Sequence, residues 1–529
     1  MKRFLLVLLS MLLMCSSALA AVTPAGEFPV VDEPITLTIA LPLNSKVQDI
    51  YTNELTKWIQ EETGITLEFI ELSTQDTGTQ INLMFISGDK LPDMVWGYDF
   101  SYDVLSEYVN AGHIAPLDEY IEKYGVNFQR VLDATTVEGA INYITIDGKI
   151  YAMPTILENP NGMYANHRFS YQQEFLDALK MEEPSTLDEL YNLLVAIRDN
   201  DVNGNGDPND EIPMMGYAAA NTVLDFIGSA YQYTNGNNFL KVNDGVVSFV
   251  ADNDLFKETI EYIKKLVDEG LYAPESYTQD LAAIQAINIQ GSIIGVHTCG
   301  SNVTQAYNND TPQYFGVRPM NLLTGPYGYK ATRYGPPSVK RTMVMTTACK
   351  EKEAAYRLMD FMFSEEAAMR VRFGIENQHW EAAKEGLIGS NGQQALFTLI
   401  GTQEWSLPSG NAIWYTEDIT FNDRTGYLGH VFNEKYQAYP HTYYNSIKIA
   451  DQYMPNVTGE ELPVLLMGSD MAAEYDELKN AIVSYVKEQV ALFVLGDRSM
   501  TEWEQYVTEL QSMGVSEYVQ LAQEAYDAL

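Results

Sequence analysis

The sequence predicts an α/β protein built in more than one lobe, and three observations carry that reading. The chain has 529 residues, too many for one hydrophobic core, which points to two or three domains. Its hydrophobic share of 46% is that of a globular chain. Strand-like and helix-like runs alternate from Ile35 onward, the pattern of βαβ units around a parallel sheet.

Ahead of the first strand, Lys2 and Arg3, an apolar run from Phe4 to Met14, and Ala18-Leu19-Ala20 read as a secretion signal, residues 1–20, with a small-x-small cleavage site. Cys15 offers a second start, a lipid-anchored one, but Met14 and Leu13 are atypical of a lipobox, so cleavage after Ala20 is preferred. The product is then extracytoplasmic: secreted, periplasmic or on the cell surface. No later apolar run approaches the roughly 18–20 residues that cross a bilayer. The whole chain carries −40, and loss of the leader's two cations leaves −42. Such a charge repels nucleic acid and anionic lipid. Cys299 and Cys349 are the other two cysteines; the compartment permits a disulfide, and two buried free thiols are the other reading.

Taken in order, Ile35 to Leu43 reads as a strand, Asp49 to Thr63 as a helix ended by Gly64, and Ile65 to Leu72 as a second strand. Thr79 to Ile86 reads as a helix, and Leu91 to Tyr98 as a short apolar strand opening into a loop. Ligands of open α/β sheets bind outside the carboxyl ends of strands, which makes Trp96 and Tyr98 candidates. A short helix reaching Tyr124 and a hairpin over Ile144 to Ile156, turning at Asp147-Gly148, follow. Residues 159–169, rich in Asn, Pro and Gly, suit a first crossing between lobes. Helices are expected over Phe169–Leu179 and Ser185–Arg198, the latter opened by a Ser185–Asp188 variant of the capping box. Leu255–Asp268 and Leu281–Ile289 read as helices and Gly291–Val296 as a buried strand. Phe315–Pro319 is taken as a second crossing, Met343–Thr347 as a strand, Lys352–Phe363 as a helix, and Asn377–Trp380 as a third crossing. Ala472–Leu495 and Glu502–Met513 are the clearest later helices.

The most specific local pattern is Asp201–Pro213, D-V-N-G-N-G-D-P-N-D-E-I-P. Asp201, Asn203, Asn205 and Asp207 alternate with small residues, Asp210 and Glu211 follow, and Gly206 stands where an EF-hand loop turns sharply. Oxygen ligands at that spacing converge on a hard cation, calcium. The loop departs from the pattern where Ile212 occupies the bidentate Glu position. The same residues also make an ordinary Asn/Gly turn without metal.

The runs L-P-D-M-V-W-G, I-Y-A-M-P, the calcium loop with E-I-P, E-A-A-Y-R-L-M-D-F-M-F, F-G-I-E-N-Q-H-W and W-E-Q-Y-V-T-E-L-Q-S-M-G-V-S-E-Y together resemble the family 1 extracellular solute-binding proteins of ABC importers. The likeness is to the branch of large oligosaccharide-binding lipoproteins and alginate-binding proteins, and it runs from Ile35 to the C-terminus. It implies a two-lobed periplasmic-binding-protein-like clamp of type II with three interlobe crossings, hinged closure, and delivery of an oligosaccharide to permease subunits by a monomeric carrier. Lobe 1 is then expected over 30–157 and 320–378, and lobe 2 over 158–319 and 379–529. By position, Asp201, Asn203, Asn205, Asp207, Asp210 and Glu211 resemble the family's structural calcium ligands; an extra residue near Pro208-Asn209 unsettles the last two.

A sugar cleft needs flat aromatic platforms ringed by polar groups. Trp58 and Trp503 fall in helical patterns and read as core, whereas Trp96, Trp380, Trp405 and Trp414 lie at segment ends or in loops. Trp96 and Trp380, with His379 beside it, are the preferred contacts, facing each other across the cleft. Two other functions fit the composition: a secreted glycoside hydrolase, or a calcium-dependent carbohydrate-binding surface protein. The first needs a positioned carboxyl pair, which 72 acidic residues supply only by chance, and no G-x-S-x-G, H-E-x-x-H or phosphate loop is present. The second usually brings repeated β modules, and none is seen.

Overall fold

Pro42 stands inside the first strand of the chain, and the topology explains why it is tolerated there. The computed structural model describes residues 21–87, 90–135, 137–157, 168–300, 316–333, 338–387, 394–400, 410–416, 418–420, 431–432 and 452–529. Strand β1 (Ile35–Leu43) runs parallel to β2 (Ile65–Ser73) on one side over its whole length and to β3 (Met94–Trp96) on the other only at Ile39 and Ala40. Pro42 lies beyond that last pairing, where its missing N–H leaves no gap on the β3 side. The strand is buried from Ile39 to Leu41, as a parallel strand covered on both faces should be.

The expected hairpin forms from β4 (Thr145–Ile146) and β5 (Lys149–Ile150). Asp147 and Gly148, with φ of 50° and 77°, supply the left-handed pair that such a two-residue turn requires. Then β6 (Met153–Leu157) closes the outgoing edge of the first sheet. A second sheet is built from β7 (Ser170–Gln172), β8 (Ile212–Met215), β11 (Ile294–His297) and β12 (Val317–Pro319), in the order β12-β7-β11-β8. Between β8 and β11 stands a separate hairpin, β9 (Leu240–Asn243) and β10 (Val246–Phe249). The chain then rejoins the first sheet with β13 (Ser338–Met345), giving the order β2-β1-β3-β13-β6. A small third sheet joins β14 (Trp380–Ala382), β15 (Phe397–Leu399) and β16 (Val431–Phe432).

Two large cores accompany the two main sheets. The first holds Val30 to Ile156, Val339 to Val371, Trp414 and Ile419; the second holds Phe169 to Tyr272, Val296, Met320 to Leu323 and Tyr453 to Ala525. Several boundaries therefore differ from the sequence reading. Val317–Pro319, expected to cross, is a strand paired to β7, and Met320, Leu322 and Leu323, expected in the first lobe, pack in the second core. The described residues between Trp380 and Thr420, expected in the second lobe, include no member of the second core, and Trp414 and Ile419 pack in the first. At Asn377–Trp380, the expected third crossing, the chain makes a tight turn: Asn377, at φ 62°, donates its N–H to the Trp380 carbonyl at 2.6 Å. Residues 159–167 of the expected first crossing lie outside the described residues.

Local differences have local causes. The first helix starts at Glu54 rather than Asp49 because Asn53 caps it, accepting from the Leu55 N–H at 3.0 Å. The helix expected from Phe169 begins only at Gln173, since Ser170–Gln172 is recruited into the second sheet. The capping box is displaced by one residue: Thr186 accepts from the Glu189 N–H at 3.1 Å, and the Glu189 carboxylate accepts from Ser185 N–H and Oγ at 2.8 Å. Helix Glu365–Phe373 has no counterpart in the sequence reading, while Val515–Asp527 adds a helix to a C-terminal part expected to be mainly helical.

Candidate ligand cleft and acidic loop

The strand directions decide where a ligand can sit. In the first sheet β1 and β3 run parallel, and β6 ends at Leu157 opposite the start of β13 at Ser338. The carboxyl ends of β1, β3 and β6 thus share one edge, and the chain leaves and re-enters the sheet there. In the second sheet Ser170 at the start of β7 is in register with His297 and Pro319, and His297 with Met215. The carboxyl ends of β8, β11 and β12 thus share one edge with the point of entry. Each sheet therefore turns its strand ends toward the connections between the cores, the place where open α/β sheets take ligands.

At the first edge the chain is crowded onto Gly97, whose φ is 71°; a Cβ there would lie 2.6 Å from Thr416 Cγ2 and 3.5 Å from Pro42 Cδ and Ile419 Cγ2. A distant stretch, residues 410–416 and 418–420, is fastened across this edge. Asn411 Oδ1 accepts from Asn53 Nδ2 at 3.0 Å, the Ile413 carbonyl accepts from the same amide at 2.9 Å, and Thr416 Oγ1 donates to the Pro42 carbonyl at 3.3 Å. Lys340 and Asp418 close it with an ion pair of 2.9 Å, both side chains about 30% exposed. Beside it, Arg341 donates its Nε–H to the Phe100 carbonyl and its backbone N–H to Asp99 at 3.1 Å. At the second edge a buried polar group gathers where β8 and β11 end. Thr298 Oγ1 donates to Asn221 Oδ1 at 3.2 Å, Asn221 Nδ2 donates to Tyr272 Oη at 2.7 Å, and the Thr298 carbonyl accepts from Thr222 Oγ1 at 2.8 Å.

The structure separates the expected aromatic contacts. Trp96 and Trp414 are fully buried in the first core, 6.5 Å apart between ring centroids. Their faces are taken up by packing, a correction to their reading as platforms: a ring at a strand end is in reach of the core beneath the sheet as well as of the cleft. Tyr98 is half-buried, edge-on to Phe100 at 4.9 Å, and burial raises its phenol above the usual range. Trp380 is half-buried, edge-on to Phe397, and its Nε1–H donates to the Gly374 carbonyl at 3.1 Å. His379 Nδ1 accepts from the Ile375 N–H at 2.9 Å, and burial lowers its affinity for a proton. Trp405 lies outside the described residues. Tyr415, Lys340 and Asp418 escaped the sequence reading, because each is brought to this edge by contacts between segments far apart in the chain. Cys299 and Cys349 are free and buried, and burial pushes both thiols up to about 12.

The acidic loop joins the helix Leu187–Arg198 to β8. Gly206, at φ 93°, donates its N–H to Asp201 Oδ2 at 2.9 Å, and Glu211 Oε1 accepts from Val202 and Asn203 N–H at 2.6 and 3.1 Å. Asn203 and Asn205 accept from the backbone two residues on, as does Asp207, while Asp210 accepts from the Asn203 and Asn205 carboxamides. Asp201 Oδ1 and Glu211 Oε2 are buried without a hydrogen-bond partner. Two buried carboxylate oxygens left over in one loop fit a hard cation. No three His, Cys, Asp or Glu among the described residues converge as a ligand set, so Asn oxygens and backbone carbonyls would have to complete it.

Two α/β lobes with their strand ends turned to the connections between them define a two-lobed solute-binding protein. The model of the bacterial extracellular solute-binding protein family matches residues 44–369, and the chain belongs to that family. It is 26% identical over 543 residues to FusA, the fructooligosaccharide ABC transporter substrate-binding protein of Streptococcus pneumoniae serotype 4, covering 98% of this chain and 96% of FusA. The structure of FusA with kestose superposes with a TM-score of 0.71 at 23% identity over 93% of this chain and 99% of that one, and an EF-hand mutant of FusA has also been solved. An extracellular solute-binding protein from Bifidobacterium longum subsp. infantis gives a TM-score of 0.76 at 18% identity, over 94% and 98%. The alginate-binding protein AlgQ2, solved without calcium ion, gives 0.62 at 20%, over 94% and 99%.

Proposed function

We propose that this protein is the extracytoplasmic binding component of an ABC importer, capturing an oligosaccharide between its lobes and delivering it to permease subunits. The observation that carries the reading is the pair of strand-end edges at the connections between the cores, together with near full-length similarity to a fructooligosaccharide-binding protein. Tyr98, Trp380 and His379 remain the proposed contacts from the sequence reading, with the polar group around Asn221 and Thr298 on the second edge. The carrier acts as a monomer and does not hydrolyse its ligand. Among the described residues no helix is long and apolar enough to cross a membrane, and export by the leader, with cleavage after Ala20 rather than lipidation at Cys15, completes the assignment.

Asp201, Asn203, Asn205, Asp207, Asp210 and Glu211 would hold a structural calcium. Such an ion would offset the repulsion among the carboxylates and fix the start of β8. Thermal-shift screening of the mature protein against an oligosaccharide panel tests the main reading, and mass spectrometry of the incubated sugars tests for hydrolysis. Failure of every oligosaccharide to raise the melting temperature would remove the proposal.

A further inference from the structure

Tyr415 has a backbone conformation that a bulky residue seldom adopts, with φ at 53°. Such a residue persists only where its surroundings over-determine it, and outliers of this kind gather at functional sites. The surroundings here are explicit. Trp414 on one side is buried and donates its indole N–H to Thr56 Oγ1 at 2.8 Å, and Thr416 on the other is tied to the Pro42 carbonyl. Two neighbouring anchors thus hold Tyr415 at the strand-end edge, half-buried against the rim of the first core, with the Lys46 ammonium 5.7 Å from its ring centroid. Three residues on, Asp418 pairs with Lys340.

We propose that Tyr415 is a stacking platform for a neutral sugar ring in the cleft, with the Lys340–Asp418 ion pair beside it reading the ring's hydroxyls. The inference rests on the oligosaccharide reading above and adds to it a named residue and a class of sugar. An aromatic face matches the C–H face of a pyranose or furanose. An ammonium carries three donors and a carboxylate several acceptor sites, so a pair already joined by one contact can still donate to one hydroxyl and accept from another. A neutral ligand is expected because two of the edge cations are matched by carboxylates, Lys340 by Asp418 and Arg341 by Asp99 at 3.8 Å, and the third, Lys46, stands over the Tyr415 ring.

Titration calorimetry with kestose, maltotriose and trigalacturonate on the mature protein, alongside thermal melts, tests this. Wild type is expected to bind a neutral sugar, and Tyr415→Ala to lose about tenfold to hundredfold in affinity, by analogy with base–aromatic stacking. Tyr415→Phe should restore most of that loss, Lys340→Met should weaken binding, and the Tyr415→Ala melting temperature should stay near wild type. Unchanged affinity in Tyr415→Ala, a loss that comes only with a drop of several degrees in melting temperature, or binding of trigalacturonate alone would overturn the platform while leaving the carrier reading intact. If wild type binds none of the three, the platform for a neutral sugar falls, while the carrier reading is decided by the oligosaccharide panel.

Discussion

Trp414 donates its indole N–H to Thr56 Oγ1 at 2.8 Å, across 358 residues of sequence. Thr56 sits in the helix after β1 and in turn donates its hydroxyl to the Ile50 carbonyl. The contact pins a late stretch of chain to the first lobe. Trp414→Ala should cost about 3–5 kcal/mol, the range for emptying a buried aromatic site. Thr56→Val, which keeps the shape and strands the indole N–H, should cost about 1–3 kcal/mol. Urea denaturation of both variants measures these, and wild-type stability in Trp414→Ala would deny the anchor.

Gly97 and Thr416 should behave as a coupled pair. Gly97→Ala adds a left-handed Cβ and a 2.6 Å approach to Thr416 Cγ2, and a loss of about 1–3 kcal/mol is expected. Thr416→Ser removes that methyl while keeping the hydroxyl, so the double variant should recover part of the loss. A double-mutant cycle with no coupling would show that the segment is free to move aside.

The acidic loop lies at the amino end of β8, whereas the strand-end edge lies at Met215. Chelation should therefore lower the melting temperature with little effect on sugar affinity. At a hundredfold excess over its dissociation constant, calcium adds about 2.7 kcal/mol, and Asp201→Ala or Glu211→Gln should remove the response. Identical melting curves with calcium, with chelator and in Asp201→Ala would mean a turn without metal.

His297 ends β11 fully buried, and burial pushes its imidazole down to about 3. The unfolded chain takes up that proton near its ordinary value of about 6.5, so between these limits the unfolded state holds one more proton. The contribution of this residue is complete above pH 6.5 and is lost as pH falls toward 3, with a slope of up to about 1.4 kcal/mol per pH unit. Denaturation at pH 7, 6, 5 and 4 should show a flatter acid limb in His297→Gln than in wild type; parallel limbs would reject the assignment.

What the sequence alone determined is what neighbouring residues settle among themselves. The strand Ile35–Leu43 was readable from its apolar run, the Asp147-Gly148 hairpin from its turn pair, and the acidic loop from side chains that bond the backbone a few residues away. The tertiary structure decided everything that depends on which distant segment covers a residue. Trp96 and Trp414 carry no mark distinguishing a ring that faces a cleft from one that faces a core; that is set by β13 pairing beside Trp96 and by Thr56 waiting for the Trp414 indole. Val317–Pro319 reads as a connector until β7 supplies its hydrogen-bond partners, and Tyr415 becomes a candidate only because its two neighbours are held from opposite directions. Backbone pairing and burial are properties of two segments at once, and a single stretch of sequence records only one of them.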